Sequence, residues 1–476
     1  MSAWMGMKSW GVRMKLSDVS DPTSLRNITR ADQSVPRTRR KAGDTSIDGR
    51  GRDLSAPAIL SYGFRPFFFL GALYAMLVVP FWVWAHQTGY QLAGPFAGHD
   101  WHAHEMIFGF VSAVIAGFIL TAVPNWTGRL PLSGTRLAVL VALWVIGRLA
   151  CAFVPNPWAA LVLDMLFPVV LGVAIWREVI AGKNIRNMPI AALLTFFALA
   201  NFLHHYEVMA IAAPVSQHEM VVGHQHDAAP AGGHEHEAAA VLSQNEAPGL
   251  LSQGLAERLA LGVTTILLAL IGGRIIPSFT RNWLVKQGSA QLPAPFGLLD
   301  KAALVATVLS IIGWIVAPEA LGTGVMLILA GLLLGARLLR WQGWATWREP
   351  IVLVLHVGYL WLAAGVGMLG AAVFWPDLIA PDAAIHTLTA GAVGTMTLAV
   401  MTRASLGHTG RVIASDVVIT LIYAAICLGA LLRVAATLVP VFYSELIMAG
   451  GMVWSLGFAL FVLRYTPILW QPRLDK

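Results

Sequence analysis

Twelve apolar runs of about 20 residues recur along this chain, and they restrict its fold more than any other feature. They lie near residues 66–86, 101–124, 135–153, 157–177, 189–213, 254–275, 298–317, 320–340, 350–374, 383–402, 415–438 and 440–464. Each is long enough to cross a ~30 Å hydrocarbon core as a helix. Apolar residues make up 57% of the chain and charged residues 12%, against about 25% charged in an average soluble protein. So few charges cannot cover a water-facing surface of this size. The expected fold is an all-α polytopic membrane protein of twelve transmembrane helices.

Loop charges set the expected orientation. Loops after the even-numbered spans carry Arg129 and Arg136, Lys183 and Arg186, Arg281, Lys286 and Lys301, Arg348, and Arg403 and Arg411. Loops after the first, fifth, seventh and ninth spans hold no Lys or Arg. Since basic loops stay inside, both termini are expected in the cytoplasm. The expected organisation is a basic cytoplasmic tail over 1–55, a membrane domain over 56–465 with a His-rich outer loop at 214–253, and a short cytoplasmic tail at 466–476. The N-terminal tail reads as disordered and able to touch anionic lipid; it holds 11 Lys and Arg against 6 Asp. It contributes most of the net +7, so the basic balance says little about function, and no nucleic-acid role is expected.

A repeat is legible in the spacing. Arg65-Pro66, Arg186-Asn187-Met188-Pro189 and Arg348-Glu349-Pro350 each open a span, 121 and 162 residues apart. Trp176-Arg177, Arg340-Trp341 and Arg464-Tyr465 each close one, 163 and 124 residues apart. Both series imply three units of four helices, with about 40 extra residues in the middle unit at the 214–253 loop.

Histidines gather at one depth. The second span opens with His99-Asp100-Trp101-His102-Ala103-His104-Glu105, the tenth opens with His386, and the fifth carries His204-His205 in its outer half. Ionisable groups inside a membrane are costly and mark function by default. Imidazoles on facing helices suit haem iron or copper. His102 and His104 point about 200° apart on a helix and so serve two neighbouring sites, whereas His99 and His102 share a face. Glu105, Arg403, and on the cytoplasmic side His356 and His408, are further candidates. Arg148 and Arg433, at the outer ends of the third and eleventh spans, have two readings: ion pairs with Asp164 and Glu445, or partners of haem propionates. The loop histidines His218, His224, His226, His234 and His236 form either a loose metal-collecting tether or a solvated insertion. Cys151 and Cys427 stand far apart in apolar runs, which argues against disulfides, thiolate metal sites and covalent haem attachment.

Several strings together carry a family resemblance: Gly63-Phe64-Arg65-Pro66-Phe67-Phe68, Trp101-His102-Ala103-His104-Glu105-Met106, Thr121-Ala122-Val123-Pro124-Asn125-Trp126-Thr127-Gly128-Arg129, Gly273-Arg274-Ile275-Ile276-Pro277-Ser278-Phe279-Thr280, and the stretch from His386 through Met401-Thr402-Arg403-Ala404-Ser405-Leu406-Gly407-His408-Thr409-Gly410-Arg411. They resemble the NnrS family, from about residue 60 to 465. The resemblance implies a bacterial inner-membrane protein containing haem and copper, linked to nitric oxide metabolism, denitrification and resistance to nitrosative stress. A weaker architectural likeness runs to the catalytic subunits of haem–copper oxidases and nitric oxide reductases. The chain departs from those in having no histidine on the sixth span and no histidine pair on the seventh.

On this resemblance one b-type haem is expected on His102 and His386, with Arg148 and Arg433 near its propionates. Copper is expected on His104, His204, His205 and His99. The expected ligand is nitric oxide or a related small molecule. If the chain is an enzyme, it is an oxidoreductase acting on a nitrogen oxide, drawing electrons from quinol or a redox protein. The alternative is a secondary transporter that moves a metal ion or small substrate along the same histidines.

Overall fold

The computed structural model describes residues 57–474 other than 129, 184 and 213–253. The basic tail and the five loop histidines therefore lie outside the described residues. Among the described residues there are no strands, and twelve helices are long and apolar enough to span a membrane. They are α1 (Phe64–Thr88), α2 (Gly98–Pro124), α3 (Gly134–Phe153), α4 (Pro157–Ala181), α5 (Met188–Ala210), α6 (Leu255–Lys286), α7 (Leu298–Val316), α8 (Leu321–Leu339), α9 (Pro350–Phe374), α10 (Pro381–His408), α11 (Val417–Leu438) and α12 (Pro440–Trp470). All twelve expected spans are present, so the chain is a multi-pass membrane protein.

Local chemistry starts these helices where it should. Pro157, Pro350 and Pro381 occupy first-turn positions, where a missing N–H costs nothing. The side chains of Asn156 and Asp416 cap α4 and α11 by accepting the N–H of Ala159 at 3.0 Å and of Ile419 at 2.8 Å. Arg65 is buried rather than interfacial. It donates to the carbonyls of Leu469 and Gln471, both at 2.7 Å, and so ties the start of α1 to the end of α12.

Neighbouring four-helix units meet where α4 packs on α5, α8 on α9, and α12 back on α1. The histidine-bearing helices α2 and α10 are the most enclosed, with 78% and 72% of their apolar windows buried. Both also break regularity at the same place. A π-helical turn occupies Glu105–Val111 in α2 and Thr387–Val393 in α10, 282 residues apart, against 283 between Arg65 and Arg348. Such turns are uncommon and cluster at functional sites. Each begins one residue after a histidine, His104 or His386, so the repeat relates those two positions.

Candidate metal centres

The π-helical turn of α2 sets Glu105 and His104 against α3, α4 and α5. Arg148 of α3 donates to Glu105 Oε2 at 2.6 Å and to Asp164 Oδ1 of α4. The Tyr74 hydroxyl of α1 also donates to Glu105. His104 Nδ1 lies 3.0 Å from Glu105 Oε1, and its Nε2 lies 2.9 Å from Asn201 Oδ1 and 3.3 Å from Asp164 Oδ2. Asn201 Nδ2 donates to Asp164 Oδ2 at 2.7 Å, and His205 Nε2 stands 3.3 Å from the same oxygen. Glycine is required beside this cluster: a Cβ on Gly109 would come within 2.8 Å of Glu105 Oε2 and 2.9 Å of the Arg148 guanidinium.

Ligand atoms of His104, Cys151, Asp164 and His205 all lie within 4.8 Å of one another, and all four residues are buried. Two imidazoles, a thiol and a carboxylate form a donor set that copper or zinc accepts. The charge count points the same way. Glu105 and Asp164 bring two negative charges and Arg148 one positive charge, so a dry cluster is left short of one cation. A protonated imidazole or a metal ion supplies it. With Nε2 on a metal, His104 would donate from Nδ1 to Glu105, the arrangement that commonly orients ligating histidines.

Of the expected copper residues, the structure brings His104 and His205 together. His204 packs beside them, its ring centroid 5.3 Å from that of His104, and its Nε2 is buried without a hydrogen bond. His99 is elsewhere, in an exposed group with Asp100 and Glu257. The reason is the turn of the helix: His99 shares the His102 side of α2, not the His104 side. Cys151 is the residue the sequence reading set aside. It has no second cysteine for company, and its neighbours come from other helices.

On the opposite side of α2, His102, His386 and Arg433 line a cavity of ≈ 100 Å³ with Trp82, Thr264 and Trp454. Trp82 stacks on His102 at 4.0 Å between ring centroids. His386 Nδ1 donates to the carbonyl of Asp382 at 2.8 Å, which leaves Nε2 as the free nitrogen. His102 Nδ1 and Arg433 Nη1 are buried without a hydrogen-bond partner. Two imidazoles and a guanidinium with open atoms around an apolar space fit haem in chemistry. In volume the cavity falls below the roughly 300–1,000 Å³ of ordinary ligand pockets, so a macrocycle requires its wall to move.

Of the two expected ion pairs, Arg148 with Asp164 is present and Arg433 with Glu445 is not. Arg433 pairs with Asp382 of α10 at 3.0 Å, not with Glu445, which is exposed. Asp382 sits one turn before His386, so the partner arrives on the histidine's own helix. Arg148 is not among the residues lining the His102–His386 cavity. It is held by Glu105 and Asp164 on the other side of α2, so the two arginines do not flank one site. At the far end of the bundle, His356 is hydrogen-bonded to Thr280 and to the carbonyl of Val352, both at 3.2 Å. His408 and Arg403 instead line a separate cavity. Sequence spacing did not reveal Tyr74, Asn201 or the buried Asp300–Arg337 pair at 2.8 Å, because each partner comes from a different helix.

A family model described as NnrS protein matches residues 58–473, nearly the whole chain. The chain belongs to the NnrS family. Membership makes it a nitric-oxide-linked membrane protein at family level, and the matched segment contains both histidine groups of α2. Among curated proteins no sequence matches it. The NnrS match begins just after the basic tail and runs through residues 213–253.

Proposed function

We propose that this protein holds haem at the His102–His386 cavity and copper at the neighbouring His104–Cys151–Asp164–His205 cluster, and binds nitric oxide between them, in denitrification or resistance to nitrosative stress. One observation carries the haem assignment: His102, His386 and Arg433 line one apolar cavity, and His102 Nδ1 and Arg433 Nη1 are buried there without a hydrogen-bond partner. Buried polar groups without partners are costly, and a ligand removes that cost. Haem when bound supplies an iron that ligates nitric oxide, and copper supplies a one-electron couple. The chain's own part is positional. Asp382 fixes the tautomer of His386 and neutralises Arg433, Glu105 orients His104, and Trp82, Trp454 and the aliphatic wall keep water out.

The loop-charge alternation supports an inner-membrane orientation with both termini cytoplasmic and the histidine end outward. A lipid-soluble gas such as nitric oxide can reach that depth through the bilayer. The test is pyridine-haemochrome and metal analysis of purified protein beside a His386→Ala variant. Haem b in the parent and its loss in the variant support the assignment; equal haem in both refutes it. A transporter of a metal ion or small substrate predicts a colourless parent.

A further inference from the structure

Among the cavities that the proposed metal chemistry leaves unused, one sets an arginine and a histidine among aromatic rings. It lies at the far end of α2, α6 and α10, measures ≈ 330 Å³, and is walled by Phe64, Phe68, Phe118, Phe279, Arg403 and His408. The Arg403 guanidinium carbon sits 3.8 Å from the Phe279 ring centroid. Among the described residues it makes no hydrogen bond and no ion pair. The His408 ring packs 5.5 Å from that of Phe64, and neither of its nitrogens has a partner among the described residues. Arg337 shows the usual treatment of such a group: it bonds to Asp300 at 2.8 Å, the Ala269 carbonyl at 3.1 Å and the Tyr359 hydroxyl at 3.0 Å.

Unspent donors on an aromatic wall specify a ligand. Its body must be flat and apolar, to lie among phenyl rings. It must carry oxygens that accept from a guanidinium and exchange a hydrogen bond with an imidazole. A small hydrated oxyanion finds too few polar partners here. We propose that this cavity binds the head ring of a quinone or quinol, one oxygen on Arg403 and the other on His408. The volume accepts a substituted ring but not a long tail, and the wall includes the half-exposed Ile413, where a tail can leave. Binding here stands on this cavity alone and does not require the metal assignment.

The test is equilibrium binding of radiolabelled decyl-benzoquinone to the full-length protein in detergent, corrected with excess unlabelled probe. Metal content is measured on the same preparations, so failure of the metal reading and failure of this one are separate results. Saturable binding is expected. Arg403→Gln and His408→Ala should each weaken it about tenfold or more, as for loss of a hydrogen bond to a charged group. Ala122→Leu, which fills the cavity without touching its polar atoms, should abolish it. Where Arg403→Gln fails to fold, Arg403→Lys carries the same expectation, because lysine lacks the planar fork. Non-saturable partitioning, or equal affinity in every variant, overturns the proposal. So does Arg403-dependent binding of nitrite or a fatty acid in place of the quinone.

Discussion

Replacing Arg148 with Met removes the guanidinium that, among the described residues, alone pairs with Glu105 and Asp164, while keeping most of its volume. Two carboxylates, Glu105 at 0% and Asp164 at 2% side-chain exposure, are then left facing one another in a dry interior. Breaking a buried ion pair by deleting one partner costs about 3–5 kcal/mol, and here one arginine serves two acids, so the upper end applies. At about 2 °C per kcal/mol for a large domain, the midpoint of thermal unfolding should fall by about 10 °C. In a Cys427→Ser background, which removes the partly exposed second thiol, a thiol-reactive fluorogenic dye reads this directly, because Cys151 is fully buried against the cluster and reacts only when α3 opens. The triple variant Arg148→Met, Glu105→Gln, Asp164→Asn removes the stranded charges and should recover most of the loss. A single variant within 1 °C of the parent would refute the pairing and the charge count built on it.

Other perturbations separate the parts. Replacing His102 or His386 by Ala should each abolish bound haem, read by visible spectroscopy on purified protein. In a background lacking 218–236, His205→Ala and Cys151→Ser should lower copper per chain while the Soret band stays near normal; unchanged copper would sink that assignment. Gly273→Ala sets a Cβ 2.1 Å from Arg337 Nη2, a guanidinium already fixed by Asp300, and should cost about 1–3 kcal/mol by overpacking, seen as a lower unfolding midpoint. At the α11 start, burial opposes the Asp416 charge but the Ile419 N–H and Arg464 outweigh it and hold its carboxyl below the ordinary range. Its contribution is therefore present above the unfolded value near 3.9 and lost as pH falls through the folded value; Asp416→Asn should flatten the acid limb of a pH–stability curve.

The spans were legible because a membrane helix declares itself by length and apolarity alone, and even the 282-residue offset between α2 and α10 follows from the Arg–Pro and Arg–aromatic markers. That His102 and His104 face different surroundings was legible too, since a helix turns 100° per residue. The Arg148–Asp164 pair and the meeting of His104 with His205 were also expected, but most other partners contributed by a different helix stayed hidden. Cys151 reads as an apolar small residue until α3 is placed beside α2 and α4. Arg433 has Glu445 as a plausible partner by repeat position, yet Asp382 reaches it first from the turn before His386. Arg65 reads only as the marker that opens the first span, but two carbonyls at the end of α12 hold it buried. The π-helical turns left no sequence signal of their own, although Gly109 and Gly391 each permit the close approach those turns create.

The most direct measurement is the haem and metal content of the purified full-length protein, by pyridine haemochrome and elemental analysis. Both b-type haem and copper are expected, each bound in fixed proportion to the chain, with haem lost on His386→Ala. A colourless protein carrying neither, from cells supplied with both, would contradict this expectation.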